Sequence, residues 1–186
     1  MSQENESITL EQAKNEVALV ARRLALLHLA FAETLVQELG DEHGKQTIVK
    51  AIRNYGQKIA GPARQAALEQ NLPLTPENFG AGGPTWPSIG THGSVEEVQV
   101  EGESRTMIRG CLMAQVCREH GGQELGRLYC LVDPAKSMAY NPDFKLIHLQ
   151  AEPDGDDCCE LVLRETTVQE REDFANDGDW SYVDKG

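Results

Sequence analysis

The chain has no excess of basic residues: 17 Lys and Arg stand against 30 Asp and Glu, a formal net charge of −13. A field of that sign repels phosphate backbones and anionic bilayers, so neither nucleic acid nor a membrane surface is an expected partner. An uninterrupted apolar run of membrane-spanning length is also missing. The most apolar stretch, Val17 to Ala32, is broken by Arg22, Arg23 and His28, which argues against a transmembrane helix. Met1 to Glu6 offers neither a basic start nor an apolar segment. No secretory signal is expected, and the location reads as cytoplasmic. There is no internal repeat. With 186 residues, 40% of them apolar, the chain suits one ordinary domain with a sizeable core.

No Cys-x-x-Cys pair occurs, so spacing supports neither a zinc ribbon nor a redox dithiol. The five cysteines (Cys111, Cys117, Cys130, Cys158 and Cys159) are odd in number and confined to the second half. Without an export signal they read as reduced thiols rather than a disulfide framework.

Residues 1–8 read as a disordered polar tail and 9–166 as a single domain. Thr9-Leu-Glu-Gln12 fits a capping box that opens a long helix ending at Gly40. Along it, Leu10, Ala13, Val17, Val20, Leu24, Leu27, Phe31 and Leu35 recur at steps of three and four as one apolar stripe. That stripe suits either the sheet or a second copy of the chain, and periodicity does not separate the two; homo-oligomerisation stays open. A second helix from Asp41 carries Ile48, Ile52, Tyr55 and Ile59, and Gly61-Pro62 is expected to break it before a short Ala-rich helix. Between residues 73 and 94, four prolines and five glycines leave no regular element. A loop of that length is a candidate lid, with Phe79, Trp86 and His92 available to close over a ligand.

Strand patterns begin at Val95, turn at Gly102-Glu-Ser104 and return through Thr106 to Gly110. Helical patterns cover Leu112 to His120 and Gln123 to Ala139. Two further strands, Phe144 to Gln150 and Cys158 to Thr166, flank a turn rich in Asp and Gly. Residues 167–186, six acids against two bases, read as a solvated acidic tail. The expected fold is α+β: an N-terminal helical layer on an antiparallel sheet of about four strands, with helices inserted between the strand pairs.

Strand alternation puts Cys159 on one face with Leu161 and Leu163, and Cys158 on the other with Glu160 and Arg164. The same count sets His148 beside Phe144 and Leu146. Cys111 ends a strand just before a helix begins, where backbone N–H groups and the helix dipole favour a thiolate. It is the best nucleophile candidate. Cys130 and Asp133, three apart, share a helical face, and Cys117 beside Val116 reads as core filler. Cys111, Cys130, Cys159 and His148 could also hold a soft metal, but their irregular spacing does not call for one; neither metal nor cofactor is expected.

The order of motifs adds to this. Arg109-Gly-Cys111, Glu124-Leu-Gly-Arg-Leu-Tyr-Cys130-Leu-Val-Asp133, Tyr140-Asn-Pro142 and Gly155-Asp-Asp-Cys-Cys159, after a helix carrying Arg53-Asn-Tyr55-Gly56, resemble the L-2-amino-thiazoline-4-carboxylic acid hydrolase family over roughly residues 10 to 165. The resemblance implies a fold related to vinyl-reductase-type ligand domains and a hydrolase that opens a small cyclic C–N/C=N substrate. It carries over Cys111, Cys130, Asp133, Asn141, Asp156 and Cys159. In that reading Cys111 attacks the electrophilic carbon and Asp133 or Asp156 moves protons. Cys130, Cys159, His148, Asn141, Tyr140 and Arg109 contact the substrate, with Arg109 or Arg127 as counter-charge to a carboxylate. The alternative is a non-catalytic sensor or carrier that keeps the same cavity. The Pro/Gly-rich stretch 73–94 departs from the family pattern.

Overall fold

The computed structural model describes residues 7–176 and 178–184; six of the eight residues of the expected N-terminal tail lie outside them. Helix α1 spans Leu10–Leu39. Its capping box is formed: Thr9 Oγ1 accepts from the Gln12 N–H while the Gln12 side chain accepts from the Thr9 N–H. Gly40, at φ +81°, ends α1 and starts α2 (Asp41–Glu69). The expected break at Gly61-Pro62 is absent, and Pro62 sits inside α2. Two features offset its cost. Gly61 has no Cβ to collide with the proline ring, and Ala60, Ala63 and Ala67 pack against Tyr140 on both sides of it.

Strands β1 (Ser94–Val100) and β2 (Glu103–Arg109) form a hairpin. Its turn is Glu101-Gly102, both at positive φ, which matches the twist of the strands, one residue earlier than the sequence suggests. Helix α3 (Leu112–Glu119) follows. The expected helix 123–139 is divided into α4 (Gln123–Arg127), a 3₁₀ turn at Leu128–Leu131 and α5 (Val132–Tyr140). Strands β3 (Phe144–Gln150) and β4 (Cys159–Glu165) complete an antiparallel sheet of order β1-β2-β4-β3. The fold is α+β. Helix α5 packs on β3 and beneath α2, and α1 packs on α2 and α3.

Two further expectations fail. The stripe on α1 is not its buried face: Ala21, Ala25, Leu29 and Ala32 are buried, while Val20, Leu27 and Phe31 are 66%, 54% and 63% exposed. Small residues let α1 approach its neighbours closely, so they rather than the larger ones face inward. Nor is 167–184 a solvated tail. Thr167 and Glu170 form a second capping box that opens α6 (Val168–Ala175). Phe174 meets Trp180 edge to face, and Trp180 and Val183 are fully buried in the core with Ile48, Val49, Ile52 and Met138. The buried acids are paired, Glu170 with Lys145 and Asp184 with Arg127, which is what lets an acidic segment fold inward.

Candidate active site

Register brings the sheet residues together. Ile108 lies opposite Cys159, and Leu161 lies opposite His148. Directly opposed residues point to the same face. Cys159 and Leu161 are two apart on β4, so all four side chains share the face covered by helices. Beyond Ile108 the chain turns at Gly110, whose φ of +69° is a glycine conformation, and Cys111 becomes the N-cap residue of α3. Glu152 fixes this corner: its carboxylate accepts from the N–H groups of Gly110 (2.6 Å) and Cys111 (3.1 Å). Cys111 and Cys159 therefore line the same cavity, near enough for each thiol to act on the other's proton.

A cavity of about 580 Å³ opens here, lined by Cys111, Cys130, Asp133, Lys136, His148 and Cys159 among others. The loop 73–94 supplies Trp86 and His92 to its wall. Their rings lie 5.6 Å apart, and His92 Nδ1 is 3.0 Å from Thr91 Oγ1. The loop is held by Leu112 N–H on Thr91 O (3.0 Å) and Gly93 N–H on Arg109 O (2.8 Å). From α2, Tyr55 reaches the cavity beside Tyr129, and Gly56 allows α2 to touch α5: a Cβ there would lie 2.5 Å from Ala135 Cβ.

The thiols are electrostatically unequal. The hydrogen bond from Cys159 holds Cys111 well below the ordinary thiol range; burial opposes this, while His92 and the Ala114 N–H support it. Cys159 is pushed up by the same bond and by burial, and Cys130 is pushed up by burial. Of the two, Cys111 is the thiol that ionises more readily. For Asp133, burial favours the neutral form, but the charges of Lys136 and His148 outweigh it and hold the carboxyl low. His148 is raised: burial alone would lower it, yet Asp184 and Asp133 prevail. Its Nδ1 lies 3.1 Å from Asp184 Oδ1 and its Nε2 3.7 Å from Asp133 Oδ2. A carboxylate only accepts, so Nδ1 carries a proton and Nε2 faces Asp133.

Five residues expected at the site lie elsewhere. Asp156, exposed in the β3–β4 turn, accepts from the Ala151 N–H at 2.8 Å. Asn141 donates to Leu74 O and accepts from the Asp143 N–H, a turn-forming role. Tyr140 is fully buried against the Ala60–Ala67 face of α2, 4.9 Å from the Phe79 ring. Arg109 is exposed at the end of β2, and Arg127 is engaged by Asp154 and Asp184. The basic side chains lining the cavity are instead Lys136, His92 and His148. Cys117 packs under Gly126, and Cys158 faces away toward Gln150. Sequence reading missed Lys136, Glu152 and Asp184. Lys136 could have been found as Asp133's neighbour three residues on; Asp184 was hidden in the acidic terminus.

Among the described residues no group of three or more His, Cys, Asp or Glu is arranged to hold a metal ion, and no helix is long and apolar enough to cross a membrane. Helices on an antiparallel sheet, enclosing a cavity of small-molecule size, define the class of this domain. Residues 20–163 match the model of the L-2-amino-thiazoline-4-carboxylic acid hydrolase family, more than half of the chain, and the chain belongs to that family. Comparisons with curated proteins and with solved structures gave no match.

Proposed function

We propose that this protein hydrolyses a small cyclic C=N substrate resembling L-2-amino-thiazoline-4-carboxylate, with Cys111 as the nucleophile. One observation carries the reading: the thiols of Cys111 and Cys159 line one cavity together with Asp133 and His148. The Cys111 thiolate adds to the carbon between the two ring heteroatoms, and the C=N electron pair moves to the ring nitrogen, which takes a proton. The adduct then opens as the ring C–S bond breaks and the sulfur leaves as a thiol. Water attacks the carbon, Cys111 leaves, and one water is consumed. Asp133 activates that water, and protonated His148 donates to the departing heteroatom. Lys136 balances the substrate carboxylate, His92 offers it a hydrogen bond, and Trp86 screens the site from solvent.

The test is turnover of L-2-amino-thiazoline-4-carboxylate by the purified chain, with the ring-opened product measured by mass spectrometry. Activity of the native chain and its loss by at least a thousandfold in Cys111→Ala support the reading. Full activity in that variant overturns the nucleophile. Ligand-dependent melting without product would favour a sensor or carrier.

A further inference from the structure

The cavity is too large for the ring alone. A single five-membered ring with one amino and one carboxylate group fills roughly 200 Å³, taking each non-hydrogen atom at somewhat less than the ~30 Å³ share of a water molecule. The cavity holds about 580 Å³. Its chemistry is also uneven. The thiols, Asp133 and His148 belong to β3, β4, α5, the start of α3 and the turn before α5, whereas the side formed by α1 and α2 offers Val17, Val20, Leu24 and Ile59. Those four side chains carry no polar group; the Tyr55 hydroxyl, also on α2, is the neutral polar group of that side and stands beside Tyr129. Glu16, exposed at the rim on α1, opposes an acidic group. Val20 and Leu24 are 66% and 37% exposed, so apolar surface lies open where nothing in the reaction uses it.

We infer that the substrate carries a neutral apolar substituent on the reacting carbon, an alkyl or aryl group lying against Val17, Val20, Leu24 and Ile59 on the α1–α2 side. The substrate class is a 2-substituted thiazoline-4-carboxylate. Water adds across its C=N bond, the ring C–S bond breaks with a proton going to sulfur, and the product is an N-acyl amino acid with a free thiol. No oxidant or reductant is needed. This deepens, and rests on, the hydrolase reading above.

The experiment compares 2-methyl-, 2-butyl- and 2-octyl-thiazoline-4-carboxylate as substrates of the purified chain. In parallel, the saturated thiazolidine analogues, which have no C=N to hydrolyse, are tested for thermal stabilisation. With burial of the chain, kcat/KM rises by roughly fourfold per added methylene until the cavity is filled, and stabilisation rises in the same order. Leu24→Trp, at a partly exposed position, fills the apolar side and abolishes the rise of both kcat/KM and stabilisation with chain length. Equal or falling kcat/KM along the series overturns the inference and leaves the hydrolase reading intact. Length-dependent stabilisation with no product from any member keeps the apolar subsite and overturns the hydrolase reading. Neither turnover nor length-dependent stabilisation overturns both.

Discussion

Asp184 accepts from both the backbone N–H of His148 (3.0 Å) and its Nδ1 (3.1 Å), while its other oxygen takes Arg127 Nη1 at 2.6 Å. It is 2% exposed and lies beyond residues 20–163 that match the family. The chain's last described turn therefore orients the imidazole in the cavity, and removing that support has separable effects on fold and chemistry.

Asp184→Asn keeps the shape but takes the charge away from both Arg127 and His148. Arg127 keeps Asp154, so losing the buried half of its pairing costs about 1–3 kcal/mol of stability, measured by urea unfolding. The imidazole loses the charge that raises its pKa. The falling, high-pH limb of the activity profile, where His148 loses its proton, should move to lower pH. A merely structural role would lower stability and leave that limb in place.

His148 also links stability to pH. Its folded-state pKa is raised above the unfolded value of about 6.5, so protonation favours the fold. That contribution is complete below pH about 6.5 and is lost as pH rises through the folded value. Between pH 6 and pH 9 the native chain should lose more stability than His148→Gln, and the difference between the two, read from urea midpoints, should shrink steadily. A constant difference would show that the Asp133 and Asp184 charges do not act on this ring.

The parts of the site that could be read from sequence are those fixed by short-range geometry. Alternation on β4 separated Cys159 from Cys158, and the strand-to-helix junction singled out Cys111, because both follow from local backbone periodicity. Residues expected from neighbouring motifs fared differently. Asn141 and Asp156 are turn formers whose short polar side chains bond nearby backbone groups, and Tyr140 packs against α2. Asp184 was illegible for another reason: an acidic terminus looks solvated until its buried partners, Arg127 and His148, are known, and those are set by tertiary packing. The α1 stripe misled similarly, since apolar spacing marks a face but not which neighbour can come close enough to cover it.

The unequal thiols predict selective chemistry. Cys111 is half-buried and held low by the Cys159 donor, whereas Cys130 is raised by burial and Cys117, Cys158 and Cys159 are buried. Iodoacetamide at pH 6 should label Cys111 first, as peptide mass mapping would show. Cys159→Ala removes the donor, so the Cys111 pKa rises and its labelling rate at pH 6 falls by about tenfold or more, one pKa unit being a factor of ten. Equal labelling rates in the two proteins would mean that the thiols do not share a proton.

Gly56→Ala tests how the helical layer positions the site. A Cβ at residue 56 would lie 2.5 Å from Ala135 Cβ and 2.8 Å from the Lys136 backbone nitrogen. The obstacle is largely the backbone of α5, so the two helices must part. Overpacking of this kind costs about 1–3 kcal/mol, while replacing a helical glycine recovers up to about 1 kcal/mol; the net is a destabilisation of about 1–2 kcal/mol in urea unfolding. Because α5 carries Asp133 and Lys136, its displacement should also lower kcat/KM at temperatures where the variant is fully folded. A variant as stable and active as the native chain would mean that α2 and α5 do not touch at this glycine.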